Sequence, residues 1–313
     1  MEAVHTQDTR VCIIGPGAMG SFYYWKFYQA GFEQLALLAG GERAQRLQKH
    51  GIRINGQTVP AQIITPEDKD YQADLILVAV KYHHLQQVVA EMKNLVGKNT
   101  LIVSVMNGID SEEILASAYG WDKVLYAMAL GIDAQRDPDQ VWVTNQGTIY
   151  FGEQTNQELS PRVKRVQEIF QAANIDFKIP EDMIRVMWWK YMINVGANQV
   201  SAVVRAPFSI FQKSPQAREL MQEAMQEVIA VARAKGIQLG TDDIQSWLQI
   251  LDTLDPEGKT SMCQDVLAGR KTEVEMFAGI LLQMGQDLQV PTPLNRYLFQ
   301  CLRAIEQNFG AYA

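Results

Sequence analysis

The stretch RVCIIGPGAMG, Arg10 to Gly20, decides the fold. A short apolar run rich in β-branched residues, Arg10 to Gly15, reads as a strand that ends in a glycine turn. Ser21 to Ala30 reads as a helix, with Gly31 as its C-terminal stop. Between them Gly15, Gly17 and Gly20 stand in a G-x-G-x-x-G pattern. The first glycine makes a tight turn, the second lets backbone approach a pyrophosphate, and the third allows helix and strand to pack closely. The helix N-terminus then offers unpaired N–H groups to the anion. A glycine-rich turn alone is common, but this one lies directly between a strand and a helix. That context points to dinucleotide binding by the loop Gly15, Pro16, Gly17, Ala18, Met19 and Gly20.

Working outward, Leu35 to Ala39 makes a second strand and Glu42 to Lys49 a second helix. Asn55-Gly56, between Ile52–Ile54 and a Val59 to Ile64 run, predicts a small hairpin. ADLILVAV (73–80) and TLIVSV (100–105) are nearly continuous apolar runs, as in strands buried on both faces of a parallel sheet. Helical patterns near His84 to Leu95 and Glu112 to Ala118 alternate with them. Repeated βα alternation predicts a doubly wound Rossmann sheet. Val124 to Gly131, Val141 to Val143 and Thr148 to Gly152 read as further β segments, followed by a helix from Pro161 to Ala173. Beyond Pro180 strand signals vanish. Long helical patterns run over Glu181–Val204, Pro215–Ala234, Asp242–Leu254 and Thr272–Gln289. The expected organisation is an α/β domain over 1–179 and an all-α domain over 180–313.

Composition narrows the function. The chain has 313 residues, 47% hydrophobic and 20% charged, with a formal net charge of −7. These values fit a globular protein and argue against nucleic acid or an anionic membrane as partner, since such binders need a basic surface. A local basic pocket for a small anion remains compatible. Cys12, Cys263 and Cys301 have no C-x-x-C spacing, which argues against a disulfide framework and a zinc site. The N-terminal MEAVHTQDTR lacks the pattern of a secretion signal, and no apolar run is long enough to cross a bilayer. The expectation is a cytoplasmic protein without a metal.

Two groups of side chains carry candidate chemistry. Lys190, Asn194 and Asn198 recur every four residues along the apolar stretch MIRVMWWKYMINVGANQVSAVV. They form one helical stripe, and polar groups facing an apolar surround need partners. A solvated face is the plain alternative; a polar cleft for a small oxygenated ligand fits the surrounding Trp188, Trp189, Tyr191, Met192 and Ile193 better. The four histidines are poorly placed: His5 is terminal, His50 ends a helix, and His83-His84 begin one. Lysine is then the better general acid, because it is protonated at neutral pH. After the second strand come Gly40, Gly41, Glu42 and Arg43, with Arg46 one turn further on. Arg43 or Arg46 could hold a 2′-phosphate, which favours NADP(H), whereas Glu42 opposes one.

These motifs resemble the ketopantoate reductases (2-dehydropantoate 2-reductases) over nearly the whole chain, from GPGAMG to PTPLNRYL (291–298). The resemblance implies an NADP-binding Rossmann domain and a helical domain related to that of 6-phosphogluconate dehydrogenase. It implies reduction of ketopantoate to pantoate, on the route to pantothenate and coenzyme A. Lys81, in VAVKYHHL, is similar to the family lysine that faces cofactor and substrate. Asn107, in MNGID, is similar to the asparagine that contacts both. Lys190 matches the proton-donating lysine, and Asn194 and Asn198 match the substrate-binding asparagines. TSMCQD implies a substrate-contacting hydroxyl at Ser261. RKTEVE implies that Glu273 lies close to substrate and nicotinamide, although Thr272 and Glu275 also spell a capping box. A homodimer is a further expectation. Gly40 replaces the arginine that often holds the 2′-phosphate, so NAD(H) stays open as the cofactor. Gly258 stands where some members carry a substrate-contacting asparagine, so another small 2-oxo acid stays open as the substrate. A dinucleotide-binding regulator without turnover is the remaining alternative.

Overall fold

The computed structural model describes residues 5–137 and 140–309. The remaining positions, including the first four residues of the stretch read for a secretion signal, lie outside the described residues. The chain divides into two compact units between Met183 and Ile184.

In the N-terminal unit the apolar runs become strands for the reason their composition suggests: both faces are covered. β1 (Val11–Ile14) sends Val11 and Ile13 into one apolar cluster and Cys12 and Ile14 into the other. This is the two-residue alternation of a strand between two helical layers. β2 (Leu35–Leu38), β5 (Ile63–Ile64), β6 (Ala73–Val78), β7 (Val96–Ser104) and β8 (Val124–Arg136) complete the parallel core, in the order β5-β2-β1-β6-β7-β8. That is the doubly wound dinucleotide-binding order. It reverses direction between β1 and β6, where such sheets bind ligands at the carboxyl ends of their strands.

Two hairpins and a two-residue strand, Phe177–Lys178, extend the core, so that among the described residues ten strands form one sheet. β3 (Ile52–Ile54) and β4 (Gln57–Val59) pair antiparallel through the Asn55-Gly56 turn, as expected. β9 (Val141–Gly152) pairs antiparallel with β8 along its whole length. Sequence suggested two short β segments here. The polar middle, Thr144 to Gly147, is also strand because its backbone is paired to β8, with a register shift at Asp133/Ala134.

α1 (Ala18–Gln29), α2 (Gly41–His50), α3 (Leu85–Glu91), α4 (Ser111–Tyr119) and α5 (Pro161–Ala172) are the helices of this unit. α5 is capped locally: Ser160 Oγ accepts from Val163 N, and Pro161 occupies the first turn.

The C-terminal unit is helical. α6 (Met183–Ile193) runs through a π turn (Asn194–Asn198) into α7 (Gln199–Val204). α8 (Ser209–Lys213), α9 (Pro215–Ala234), α10 (Thr241–Leu251) and α11 (Ser261–Leu267) follow. A second π turn (Glu275–Gly279) leads into α12 (Ile280–Asp287), and α13 (Pro293–Gln307) ends the fold. No described helix is long and apolar enough to cross a membrane.

Candidate active site

The N-terminal unit carries its candidate residues at the switch point of its sheet. Gly15 has φ +92, and a Cβ there would lie 2.7 Å from the carbonyl oxygen of Ala79, just past the end of β6. Only glycine fits that turn. A Cβ on Gly20 would collide with the Gly15 carbonyl oxygen, whereas one on Gly17 would meet nothing within 4 Å. The first and third glycines therefore close the turn and seat α1, and the middle one leaves an open cradle at the helix N-terminus. Gly17 N donates to Gly15 O at 2.7 Å, which fixes that cradle. Such a shape fits a pyrophosphate.

Lys81 follows the carboxyl end of β6, and Asn107 begins the Asn107-Gly108 turn just beyond β7. The same edge of the sheet thus carries the glycine loop, Lys81 and Asn107. Behind it, Tyr82 Oη donates to Asp110 Oδ2 at 2.7 Å. His83 and His84 form a one-turn 3-10 helix before α3, the helix-start role anticipated for them. Arg43 and Arg46 are exposed on α2, Arg43 in its first turn.

Glu112 lies beneath this edge in α4 and was not singled out by sequence. It is 1% exposed. Its Oε2 accepts from Ser111 Oγ at 3.0 Å and its Oε1 from Ala127 N at 3.3 Å. Burial pushes its carboxyl up to about 7, against the lowering effect of these hydrogen bonds. No periodicity reveals such a residue, because its acidic side chain reads as ordinary helix surface.

In the C-terminal unit Lys190, Asn194 and Asn198 sit on one continuous helical path, Lys190 and Asn194 partly buried and Asn198 buried. Eight residues of regular α-helix would rotate the last of three such positions by roughly 80° from the first. The π turn at Asn194–Asn198 winds more slowly and brings Asn198 back toward the line of Lys190. Asn198 Nδ2 donates to Asn194 Oδ1 at 3.5 Å, so the two amides are neighbours. The wide turn is held from outside. A Cβ on Gly196 would lie 2.5 Å from Met225 Cγ, so α9 packs directly on its backbone. Gln199 Nε2 donates to the Val195 carbonyl at 2.8 Å.

The second π turn packs against the first. Tyr191 Oη donates to the Phe277 carbonyl at 2.6 Å, tying α6 to it. Glu273, 8% exposed, stands two residues before this turn. The capping box read at Thr272 and Glu275 does not form: the Thr272 N–H and hydroxyl both donate to Glu306 Oε1, at 2.7 and 2.5 Å. Glu275 instead pairs with Arg303 at 3.4 Å. A carboxylate from α13 has taken the place of the local one.

Ser261 is the exposed first residue of α11. Thr260 caps that helix, its hydroxyl accepting from Cys263 N, and shares a 2.6 Å hydrogen bond with Ser201 Oγ of α7. The pair pins the start of α11 beside the helix that carries the asparagines. Asp265, one turn on, accepts from Arg270 Nε at 2.9 Å. The structure therefore gathers Lys190, Asn194, Asn198, Ser261 and Glu273 on packed elements of one unit, and the glycine loop, Lys81 and Asn107 on one edge of the other. Among the described residues no group of three or more His, Cys, Asp or Glu side chains is placed to hold a metal ion.

The family model for ketopantoate reductase PanE/ApbA matches residues 11–156, and that for its C-terminal part matches residues 182–306. The 2-dehydropantoate 2-reductase of Streptococcus pyogenes serotype M3 is 22% identical over 302 residues, covering 95% of this chain and 97% of the relative. The structure of a PanE/ApbA family ketopantoate reductase from Ralstonia eutropha JMP134 superposes with a TM-score of 0.82 at 26% identity, covering 96% of this chain and 99% of the other. D-mandelate dehydrogenase with NADH and anilino(oxo)acetate has the same fold, with a TM-score of 0.87 at 21% identity over 96% of this chain and 99% of the other. The chain belongs to the ketopantoate reductase family of oxidoreductases, which act on a CH–OH group.

Proposed function

We propose that the protein reduces ketopantoate to pantoate with NADPH, in the synthesis of pantothenate and coenzyme A. What supports this reading is that Lys190, Asn194 and Asn198 recur every four residues on one continuous helical path whose π turn offsets the drift of that spacing. The open cradle at Gly17 fits the cofactor's pyrophosphate. When bound, the nicotinamide supplies a hydride to the carbonyl carbon of the 2-oxo acid. Lys190 donates the proton to the carbonyl oxygen, and its positive charge stabilises the negative charge that develops there. Asn107 and Glu273 orient the carbonyl and the nicotinamide. Asn194, Asn198 and Ser261 hold the carboxylate and hydroxyl of the substrate, and Lys81 faces both substrate and cofactor.

A second reading keeps this machinery and changes the substrate to another small 2-oxo acid. Gly258 favours it: a Cβ there would lie 3.1 Å from the Phe208 ring, so the backbone leaves little room for a longer side chain. The two readings separate in one assay, which follows loss of NADPH absorbance with ketopantoate and with a panel of other 2-oxo acids. Fastest turnover per unit KM on ketopantoate supports the first. A clear preference for another acid transfers the proposal to that acid.

Ser261→Ala is expected to raise KM for the 2-oxo acid more than it lowers kcat, since a binding hydroxyl acts in ground and transition states alike. A loss confined to kcat would contradict its placement. For the cofactor, wild type is expected to bind NADPH more tightly than NADH. The Arg43→Ala, Arg46→Ala double variant is expected to erase the gap, each charge-assisted contact contributing on the order of 1.5–3 kcal/mol. Equal affinity of the wild type for both cofactors would remove NADP from the proposal.

A further inference from the structure

Gln199, the first residue of α7, and Asn295 of α13 are amide side chains with 0% exposure. A buried amide brings polar atoms that water no longer serves, where a leucine or methionine would pack without that cost. The partners of this pair run in one direction. The Glu227 carboxylate of α9 accepts from Asn295 Nδ2 at 2.7 Å, and the Ala224 carbonyl accepts from the same nitrogen at 3.1 Å. Leu294 N and Asn295 N also donate to that carboxylate, so both of its oxygens act as acceptors. The Asn295 nitrogen must therefore face α9, which turns its Oδ1 the other way. Oδ1 accepts from Gln199 Nε2 at 2.9 Å, and the same nitrogen donates to the Val195 carbonyl at 2.8 Å. Gln199 Oε1 is left buried with no hydrogen-bond partner among the described residues. In a regular α-helix the Val195 carbonyl would receive the backbone N–H of Gln199, but that N–H donates to Gly196. The Gln199 side chain thus stands where the helix's own donor is missing.

We infer that Gln199 and Asn295 are positioning residues for the reduction: through this chain of amides, α9 and α13 hold the π turn that aligns Asn194 and Asn198 with Lys190. The inference rests on the roles proposed above for those three side chains. The wide turn leaves a backbone carbonyl for a side chain to serve, and a donor fixed at Val195 favours the wide winding over regular helix. The donor is fixed because Glu227 sets the sense of the Asn295 amide, and Asn295 sets that of Gln199. α9 anchors the turn a second time, since its Met225 also presses on Gly196. Without the Gln199 side-chain donor, the backbone N–H of Gln199 can return to Val195 and the turn can tighten to 3.6 residues. Asn198 would then stand roughly 80° from Lys190 around the helix axis. Lys190 precedes the turn and keeps its place, so the damage falls on binding of the substrate's carboxylate and hydroxyl.

The test measures kcat and KM with NADPH and ketopantoate, or the 2-oxo acid that the wild type turns over fastest, together with the Kd of NADPH. The proteins compared are the wild type, Gln199→Met, Gln199→Glu and Leu251→Ala. Gln199→Met keeps the length of the side chain and removes the donor to Val195. Its KM is expected to rise by roughly 10–100-fold, as for an ångström-scale displacement of a binding group, while kcat falls less. The Kd of NADPH should stay unchanged, because the glycine loop lies in the other unit. Gln199→Glu has the shape of glutamine and, when protonated, keeps one donor, which burial favours. Its KM should therefore fall between those of the wild type and Gln199→Met. Leu251→Ala opens a gap in the fully buried core of α10 and should lower Tm without moving KM. An active wild type with an unchanged KM in Gln199→Met overturns the inference and leaves the reaction reading standing. A loss confined to kcat overturns it too, as does an equal rise of KM in Leu251→Ala, since general loosening would then set the value. Should Gln199→Met not fold, Gln199→Glu decides alone: a raised KM at unchanged NADPH affinity supports the inference, and a wild-type KM overturns it. A wild type that turns over no 2-oxo acid overturns the reaction reading, and the inference with it.

Discussion

Lys190→Ala is expected to lower kcat by ~10²–10⁴-fold, the usual contribution of a positioned general acid. The loss should fall on kcat because the lysine's interaction strengthens as negative charge builds on the carbonyl oxygen, and is weak before that. Affinity for NADPH should hardly change, since the cradle formed by Gly15, Gly17 and Gly20 lies in the other unit and does not depend on this side chain. Steady-state kinetics and NADPH titration measure both effects. A folded Lys190→Ala protein that binds NADPH and keeps near-normal kcat would move the proton donor elsewhere, first to Lys81 or to His83-His84.

Glu112→Gln is expected to stabilise the N-terminal unit at pH 8 and to leave its stability near pH 4 unchanged. The folded chain holds the Glu112 proton up to about pH 7, against an ordinary value of 4.5. A folded-state pKa that is raised means stability is fully present below about pH 4.5 and is lost as pH rises toward 7. Above that, the buried charge costs about 3 kcal/mol, at roughly 1.36 kcal/mol for each pH unit between the two values. Glutamine has the shape of the protonated acid: its Oε1 still accepts from Ala127 N, and its amide can donate to Ser111 Oγ. The variant should therefore lose the downward slope between pH 4.5 and 7. Amide-exchange protection in β7 and β8, measured at several pH values, reports this unit by itself. Parallel pH dependence in wild type and Glu112→Gln would show that Glu112 carries no such cost.

The glycine loop was legible because its requirements are local: a positive φ at Gly15 and the contacts of Gly15 and Gly20 follow from one turn. The strands ADLILVAV and TLIVSV were legible because burial on both faces leaves no polar alternation to confuse them. What sequence missed depends on distant partners. The polar middle of β9 is strand only because β8 is paired beside it. The π turn at Asn194–Asn198 is held by α9 pressing on Gly196, so the four-residue spacing of the stripe was visible and its wider winding was not. α13 has no capping side chain of its own at Thr292; the Glu227 carboxylate from α9 accepts from Leu294 N and Asn295 N instead. The Thr272–Glu275 pattern failed in the same way, displaced by Glu306.

The proposed reaction passes a hydride directly from nicotinamide to the carbonyl carbon of ketopantoate. The most direct measurement uses NADPH deuterated at C4, each face labelled in turn, with ketopantoate and the wild-type protein, and reads the product by NMR. Pantoate is expected to carry one deuterium at C2 from one of the two labelled cofactors and none from the other. Ketopantoate left unreduced while NADPH is bound, or pantoate formed without deuterium from either label, would contradict it.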